Sequence, residues 1–180
     1  MKHPTIEEME AGLAEIRQSP ADAGALRLIV RRPEVDAREV LEEGRLDVVE
    51  GLVGDAWSRT RRRGGPDPEM QINIMNVRAI ALIARSQERW PLAGDQLFVD
   101  LDLSADNLPP GTRLALGSAV VEITAPPHTG CGKFASRFGV DAVKFVNSAV
   151  GKRLRLRGVN AKVVRPGLIR AGDLVEKIAP

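Results

Sequence analysis

From Gly94 to the C-terminus, turn signals cut the chain into short apolar runs at even intervals. Residues 97–101, 113–116, 119–124, 154–157, 161–164 and 174–178 each read as a strand. Pro109-Pro110-Gly111, Gly117-Ser118, Pro166-Gly167 and Gly172-Asp173 read as turns. The Gly117-Ser118 pair joins its two strands as a hairpin. Strands this short cannot bury a face alone, and many of them in series specify a barrel or a sandwich.

The front half is more helical. Thr5 and Glu8 form a capping box, Ile6, Met9, Leu13 and Ile16 follow at helical spacing, and Ser19-Pro20 ends the run. Residues 26–30 and 71–75 read as strands. Asp36 and Glu39 form a second capping box, which predicts a helix stopped by Gly44. Residues 46–52 read as helix or turn, and Gly54-Asp55 as a turn. Asn76 caps a helix predicted to reach about residue 89, and Asp141 caps another closed by Gly151. The fold class is therefore mainly β with flanking helices, an α+β chain. A helical extension over 1–25 precedes a single domain over 26–180.

Composition narrows the function. The chain has 180 residues, 43% hydrophobic and 28% charged, a globular balance with room for one core. No apolar stretch is long enough to span a membrane, and the charged N-terminus lacks the apolar core of a signal peptide. The net charge is +2 with a pI near 9.0. Aromatic residues are only 3% and tyrosine is absent, so there is little to stack on bases, and no nucleic-acid-binding signature is present. One cysteine and two histidines do not make a zinc site. A single free cysteine fits a reducing compartment, and the expected location is the cytoplasm.

That cysteine, Cys131, stands in Pro126-Pro127-His128-Thr129-Gly130-Cys131-Gly132-Lys133. Prolines stiffen the approach, and flanking glycines leave the backbone open to a ligand. With no internal partner, the thiol is either a buried small hydrophobe or a reactive group. Lys133 and Arg137 are close enough in sequence to favour a thiolate. Lys133 suits a phosphate or is a solvated lysine. His128 can move protons or bond a ligand, but its preferred reading is a loop histidine exposed to water. Thr129 and Gly130 can offer backbone donors to an anion. Arg59 and Arg61 to Arg63, in a glycine-proline loop, are an anion clamp or a solvated run. Asp55 and Gln96 either stabilise turns or touch a ligand. Phe134 and Phe138 read as core.

The ordered pieces around this cysteine resemble the MOSC domain family, named for the C-terminal part of molybdenum cofactor sulfurase. Gly51-Leu52-Val53-Gly54-Asp55, Gly94-Asp95-Gln96-Leu97, the hairpin from Leu108 to Thr124, Cys131-Gly132-Lys133-Phe134, Arg157 to Val163 and Ile169 to Asp173 carry the resemblance. It implies a closed β-barrel and a molybdenum-pterin cofactor, with Cys131 as catalytic residue and metal ligand or as persulfide carrier. Lys133, Thr129, Gly130, His128, Gln96, Asp55 and Arg62 are then the expected cofactor-binding residues. Related proteins reduce N-hydroxylated compounds. The expected partners are a small-molecule substrate and a separate redox partner or sulfur donor, with no nucleic acid and no membrane. Cofactor sulfurases add a pyridoxal-phosphate domain, for which this chain has no room, so it is not expected to generate sulfur itself. The activity is left between a molybdenum-dependent oxidoreductase, a sulfur transferase and a non-catalytic small-anion binding module. Two positions depart from the family pattern: Gly130 stands where many members have proline, and Gln96 where asparagine is usual.

Overall fold

The computed structural model describes residues 2–59 and 64–179. In chain order its elements begin with two short helices, α1 (Ile6–Ala11) and α2 (Leu13–Ile16), and the strands β1 (Ala23–Arg31), β2 (Glu39–Leu41), β3 (Glu43–Asp47) and β4 (Gly51–Leu52). β5 (Ile72–Asn76), α3 (Val77–Ala84), β6 (Leu97–Asp100) and the hairpin β7 (Arg113–Leu116) and β8 (Ala119–Ile123) follow. Three helices, α4 (Gly132–Phe138), α5 (Val140–Asn147) and α6 (Ala149–Arg153), precede β9 (Val159–Arg165), β10 (Gly167–Arg170) and β11 (Leu174–Ile178).

Among the described residues, β1, β11, β7, β8, β9, β5 and β6 close into a barrel in that order, with β6 returning to β1. The barrel is mixed: β5 and β6 are parallel and the other neighbours antiparallel. A parallel pair needs a crossover. Here α3 and the 3-10 segment Gln87–Ala93 supply it. β2 pairs with β1 outside the ring, and the other three strands form a small sheet, β10-β3-β4.

Closure happens along β1. Residues 23–25 pair with β11, while residues 25–29 pair with β6 across a bulge between Leu26 and Leu28. The bulge adds one residue and shifts the pleat, so Leu26 and Ile29 both point into the barrel while Leu28 and Val30 point out. The same in–out division runs through β6, with Leu97 and Val99 inside and Phe98 outside.

Two cores result. One fills the barrel. The other lies between its wall and the helices, where Met9, Ile16, Met75, Ile80, Phe98, Phe134, Phe138 and Phe145 pack together. Each such buried side chain contributes roughly 1.5–3 kcal/mol. The N-terminal helices belong to this outer core, with α1 against α5 and α2 against α3, and β1 begins at Ala23.

Several local expectations need correction. The capping box at Asp36 and Glu39 starts no helix. Asp36 has a left-handed φ of 62°, and the chain continues into β2, whose Glu39 pairs with Arg31 across the strands at 2.6 Å. Gly44 lies inside β3 rather than ending a helix. Residues 46–52 are a hairpin whose turn is held by Asp47 Oδ1, which accepts from the Val49 and Glu50 amides. The helix capped by Asn76 stops at Ala84, because Arg85 turns left-handed. Gly139, not Asp141, precedes α5, and Gly151 sits within α6 after a break at Ser148. Residues 154–157 are turns, not a strand, with Arg155 left-handed at φ 50°.

Gly24 sits at the closure seam. A Cβ there would lie 1.7 Å from the Asp100 carbonyl oxygen of β6. Gly24→Ala is expected to lower unfolding free energy by about 3 kcal/mol or more in urea melts. Gly132→Ala, whose methyl meets nothing within 4 Å, should leave stability within about 0.5 kcal/mol.

Candidate functional site

The loop from Thr124 to Cys131 joins β8 to α4 and carries the candidate thiol. It is pinned at both ends. Asn160 Nδ2 donates to the Pro126 carbonyl at 2.9 Å. Asn147 brackets Gly130: its Oδ1 accepts from the Gly130 amide at 2.9 Å and its Nδ2 donates to the Gly130 carbonyl at 3.0 Å. A Cβ at Gly130 would come 2.8 Å from Val146 Cγ2. Proline would in addition lack the bonded N–H. Glycine at this position is thus coupled to Asn147 and the close approach of α5.

Cys131 is exposed and extended, with φ −126°, immediately before α4. The reading of this thiol as a buried hydrophobe is therefore excluded. α4 is anchored by Phe134 and Phe138, whose rings lie 4.9 Å apart, and by Arg157 over Phe134 at 4.8 Å. The Cys131 thiol is held below its ordinary pKa. The chief cause is the backbone N–H of Phe134, then that of Lys133, followed by Arg157 and Arg137, against the opposing effect of partial burial. No side-chain capping bond forms, so the attraction is electrostatic.

Beside the thiol lies a cleft of about 370 Å³. His128 and Lys133, on either side of Cys131 in the chain, line it, while Cys131 itself is exposed on the segment between them. Its cations are Arg32, Arg38, Lys133 and Arg137, and its acids are Glu34, Asp36, Asp55 and Asp67. Arg38 donates to the Pro91 carbonyl at 3.1 Å and Arg137 to the Leu92 carbonyl at 2.9 Å. These bonds bring Arg38 Nη2 and Arg137 Nη1 to 3.7 and 3.8 Å from where a Cβ on Gly94 would stand. Burial, then the charges of Arg137 and Arg32, hold Arg38 below its ordinary pKa. Arg32 pairs with Asp55 at 2.8 Å and Arg137 with Asp36 at 2.9 Å, which leaves Arg38 and Lys133 as the cations of the cleft without an ion pair among the described residues and suited to an anion. Lys133 is exposed and makes no ion pair among the described residues.

Asp55 and Gln96 lie beneath this cleft. Asp55 is 1% exposed, and its carboxylate takes Arg32 Nε at 3.0 Å, Arg32 Nη2 at 2.8 Å and the amides of Arg32 and Trp57. Gln96 accepts from the Asn73 amide at 2.8 Å and donates to the Gln71 carbonyl at 3.2 Å. Both orient Arg32 and the floor, with their polar atoms engaged by the protein. Thr129 faces away from the cleft and lines a second cavity behind the loop. Arg62 lies outside the described residues, as do Thr60, Arg61 and Arg63. Arg59 donates to the Pro33 carbonyl at 2.7 Å. Arg38 and Asp95 were not among the residues expected from the sequence. The helix predicted after Asp36 hid the first, and the second stood only within the Gly94-Asp95-Gln96-Leu97 element.

His128 is not the water-exposed histidine expected. Its side chain is 14% exposed, and Nδ1 lies 3.4 Å from Asp95 Oδ1 without hydrogen-bond geometry. Asp95 is fully buried and bonded through Oδ2 to Arg157 Nη1 at 2.7 Å. Burial, with Arg157 next, lowers the His128 pKa to about 4, and the Asp95 charge offsets this only in part. The ring is neutral at pH 7. Among the described residues no group of three or more His, Cys, Asp or Glu side chains stands ready to hold a metal ion, and no helix is long and apolar enough to cross a membrane.

A lowered histidine pKa means the unfolded chain binds the proton more tightly between pH 6.5 and about 4. Stability should therefore fall with pH across that window, by up to about 3 kcal/mol from this group. Urea melts of the wild type and His128→Asn should show a shallower pH slope in the variant, and His128 ring signals should not titrate above pH 5.

Residues 59–176 match the MOSC domain. Among solved structures, the fold is similar to the YuaD protein of Bacillus subtilis, with a TM-score of 0.62 and 18% identity over 86% of this chain and 95% of that one. It is also similar to YiiM of Escherichia coli, with a TM-score of 0.58 and 18% identity over 87% of this chain and 70% of that one. No curated protein matches it in sequence. These structural likenesses establish the mixed closed barrel with its attached helices, and the match over most of the length establishes the family: the chain belongs to the MOSC domain family.

Proposed function

We propose that this protein holds a molybdenum-pterin cofactor in the basic cleft, with the Cys131 sulfur as the protein's ligand to the metal. It then reduces N-hydroxylated small molecules with electrons from a separate donor. The carrying observation is an exposed, thiolate-favouring cysteine on the segment between His128 and Lys133, two residues that line a cleft where Arg38 and Lys133 make no ion pair among the described residues. A thiolate is a soft ligand suited to such a metal. Arg38 is the arginine of the cleft left to meet a phosphate, since Arg137 pairs with Asp36 and Arg32 with Asp55. Lys133 adds an ammonium with no ion pair among the described residues. Neutral His128 borders the cleft without adding charge. When bound, the cofactor supplies the two-electron chemistry that removes the hydroxyl oxygen as water, with two protons taken up. A lone free thiol suits the reducing cytoplasm for this role.

Protein purified from a host able to make the molybdenum cofactor should carry molybdenum and show pterin fluorescence. Arg38→Gln should weaken cofactor retention roughly tenfold. Cys131→Ala should lose all reductase activity while remaining folded. Full activity in Cys131→Ala defeats the proposal, and an extra sulfur atom on Cys131 by intact mass, with no metal, favours a persulfide carrier instead.

A further inference from the structure

A second cavity of about 420 Å³ lies behind the cysteine loop, between it, α5–α6 and the start of β9. His128 is its common wall with the basic cleft. Its lining holds Lys152, Arg155 and Arg157 and no Asp or Glu. The cleft, by contrast, mixes its cations with acids.

The cations here have unused donors. Arg155 Nη1 donates to the Leu108 carbonyl at 2.6 Å. Its Nε and Nη2, the parallel pair on the other edge of the guanidinium, have no partner among the described residues. Arg155 is held left-handed at φ 50°, a conformation that costs a non-glycine residue about 1 kcal/mol or more. Burial alone lowers its pKa, since no carboxylate faces it. Arg157 is 6% exposed, and its Nε is buried with no hydrogen-bond partner. Lys152 is exposed and makes no ion pair among the described residues. The remaining walls include Pro126, Pro127, Val146 and Val159.

We propose that this cavity is a second binding site, for a small flat aromatic carboxylate. The two oxygens of a carboxylate match the free Nε and Nη2 of Arg155, with Lys152 adding charge. The aromatic body rests on the proline and valine walls. The volume is that of an ordinary ligand pocket. The site stands on its own residues and does not depend on what fills the basic cleft.

The test is a titration of the full chain with 2-naphthoate, followed by amide NMR shifts, with acetate as the control anion. Shifts centred on residues 146–159 are expected, with 2-naphthoate bound at least about tenfold more tightly than acetate. Arg155→Gln should weaken binding about tenfold. Lys152→Glu, at an exposed position that does not threaten folding, should weaken it several-fold, and Arg38→Gln should leave it unchanged. The proposal is overturned by no shifts at this cavity, by shifts centred on the basic cleft, by acetate binding as tightly, or by Lys152→Glu having no effect in a folded protein.

Discussion

The buried ion pair between Asp95 and Arg157 is the joint on which the candidate site rests. It ties the end of the crossover, just before β6, to the turns that lead into β9. Arg157 also donates to the Ala93 carbonyl at 2.9 Å and lies over the Phe134 ring, so it fixes the helix that begins just after Cys131. Asp95 faces His128 from below, and Arg157 is among the charges that favour the Cys131 thiolate. Both partners are out of water. Removing one alone would leave an uncompensated buried charge, at a cost of about 3–5 kcal/mol.

The two buried carboxylates of the site serve different ends. Asp55 is saturated by Arg32 and two amides and makes a rigid, charge-balanced floor. Asp95 is saturated on one oxygen only; the other faces the His128 ring and has no hydrogen-bond partner. Because burial and Arg157 outweigh that carboxylate, His128 stays neutral. The site therefore sets an accessible thiol, held below its ordinary pKa by backbone N–H groups and by Arg157 and Arg137, near an uncharged imidazole. That balance favours a sulfur that can serve as ligand or nucleophile.

What the sequence made legible was local. The hairpin of β7 and β8 follows from Gly117-Ser118, and the caps at Thr5 and Asn76 follow from side chains that reach their own helices. Phe134 and Phe138 are core, as their spacing suggests. The failures were non-local. Asp36 and Glu39 have the spacing of a capping box, but Glu39 is claimed by Arg31 and its strand by β1. That error hid Arg38, which reaches the cleft only because β2 turns back. His128 looked solvated because its cover comes from Asp95 and Arg157, residues 33 and 29 positions away in the chain. Asp55 and Gln96 carry family-like turn motifs, and their role as internal supports emerged only once their bonding partners were in place. The cysteine loop was recognisable, and the reason for Gly130 lay in Asn147, a helix away.

The central claim is that the Cys131 sulfur is the protein's own ligand to a molybdenum centre held in the basic cleft. X-ray absorption at the molybdenum edge, on protein loaded in a host that makes the cofactor, measures this directly. The account predicts bound molybdenum with one more sulfur neighbour in the wild type than in Cys131→Ser. A molybdenum centre whose sulfur shell is identical in the two proteins, or a loaded wild type without molybdenum, contradicts it.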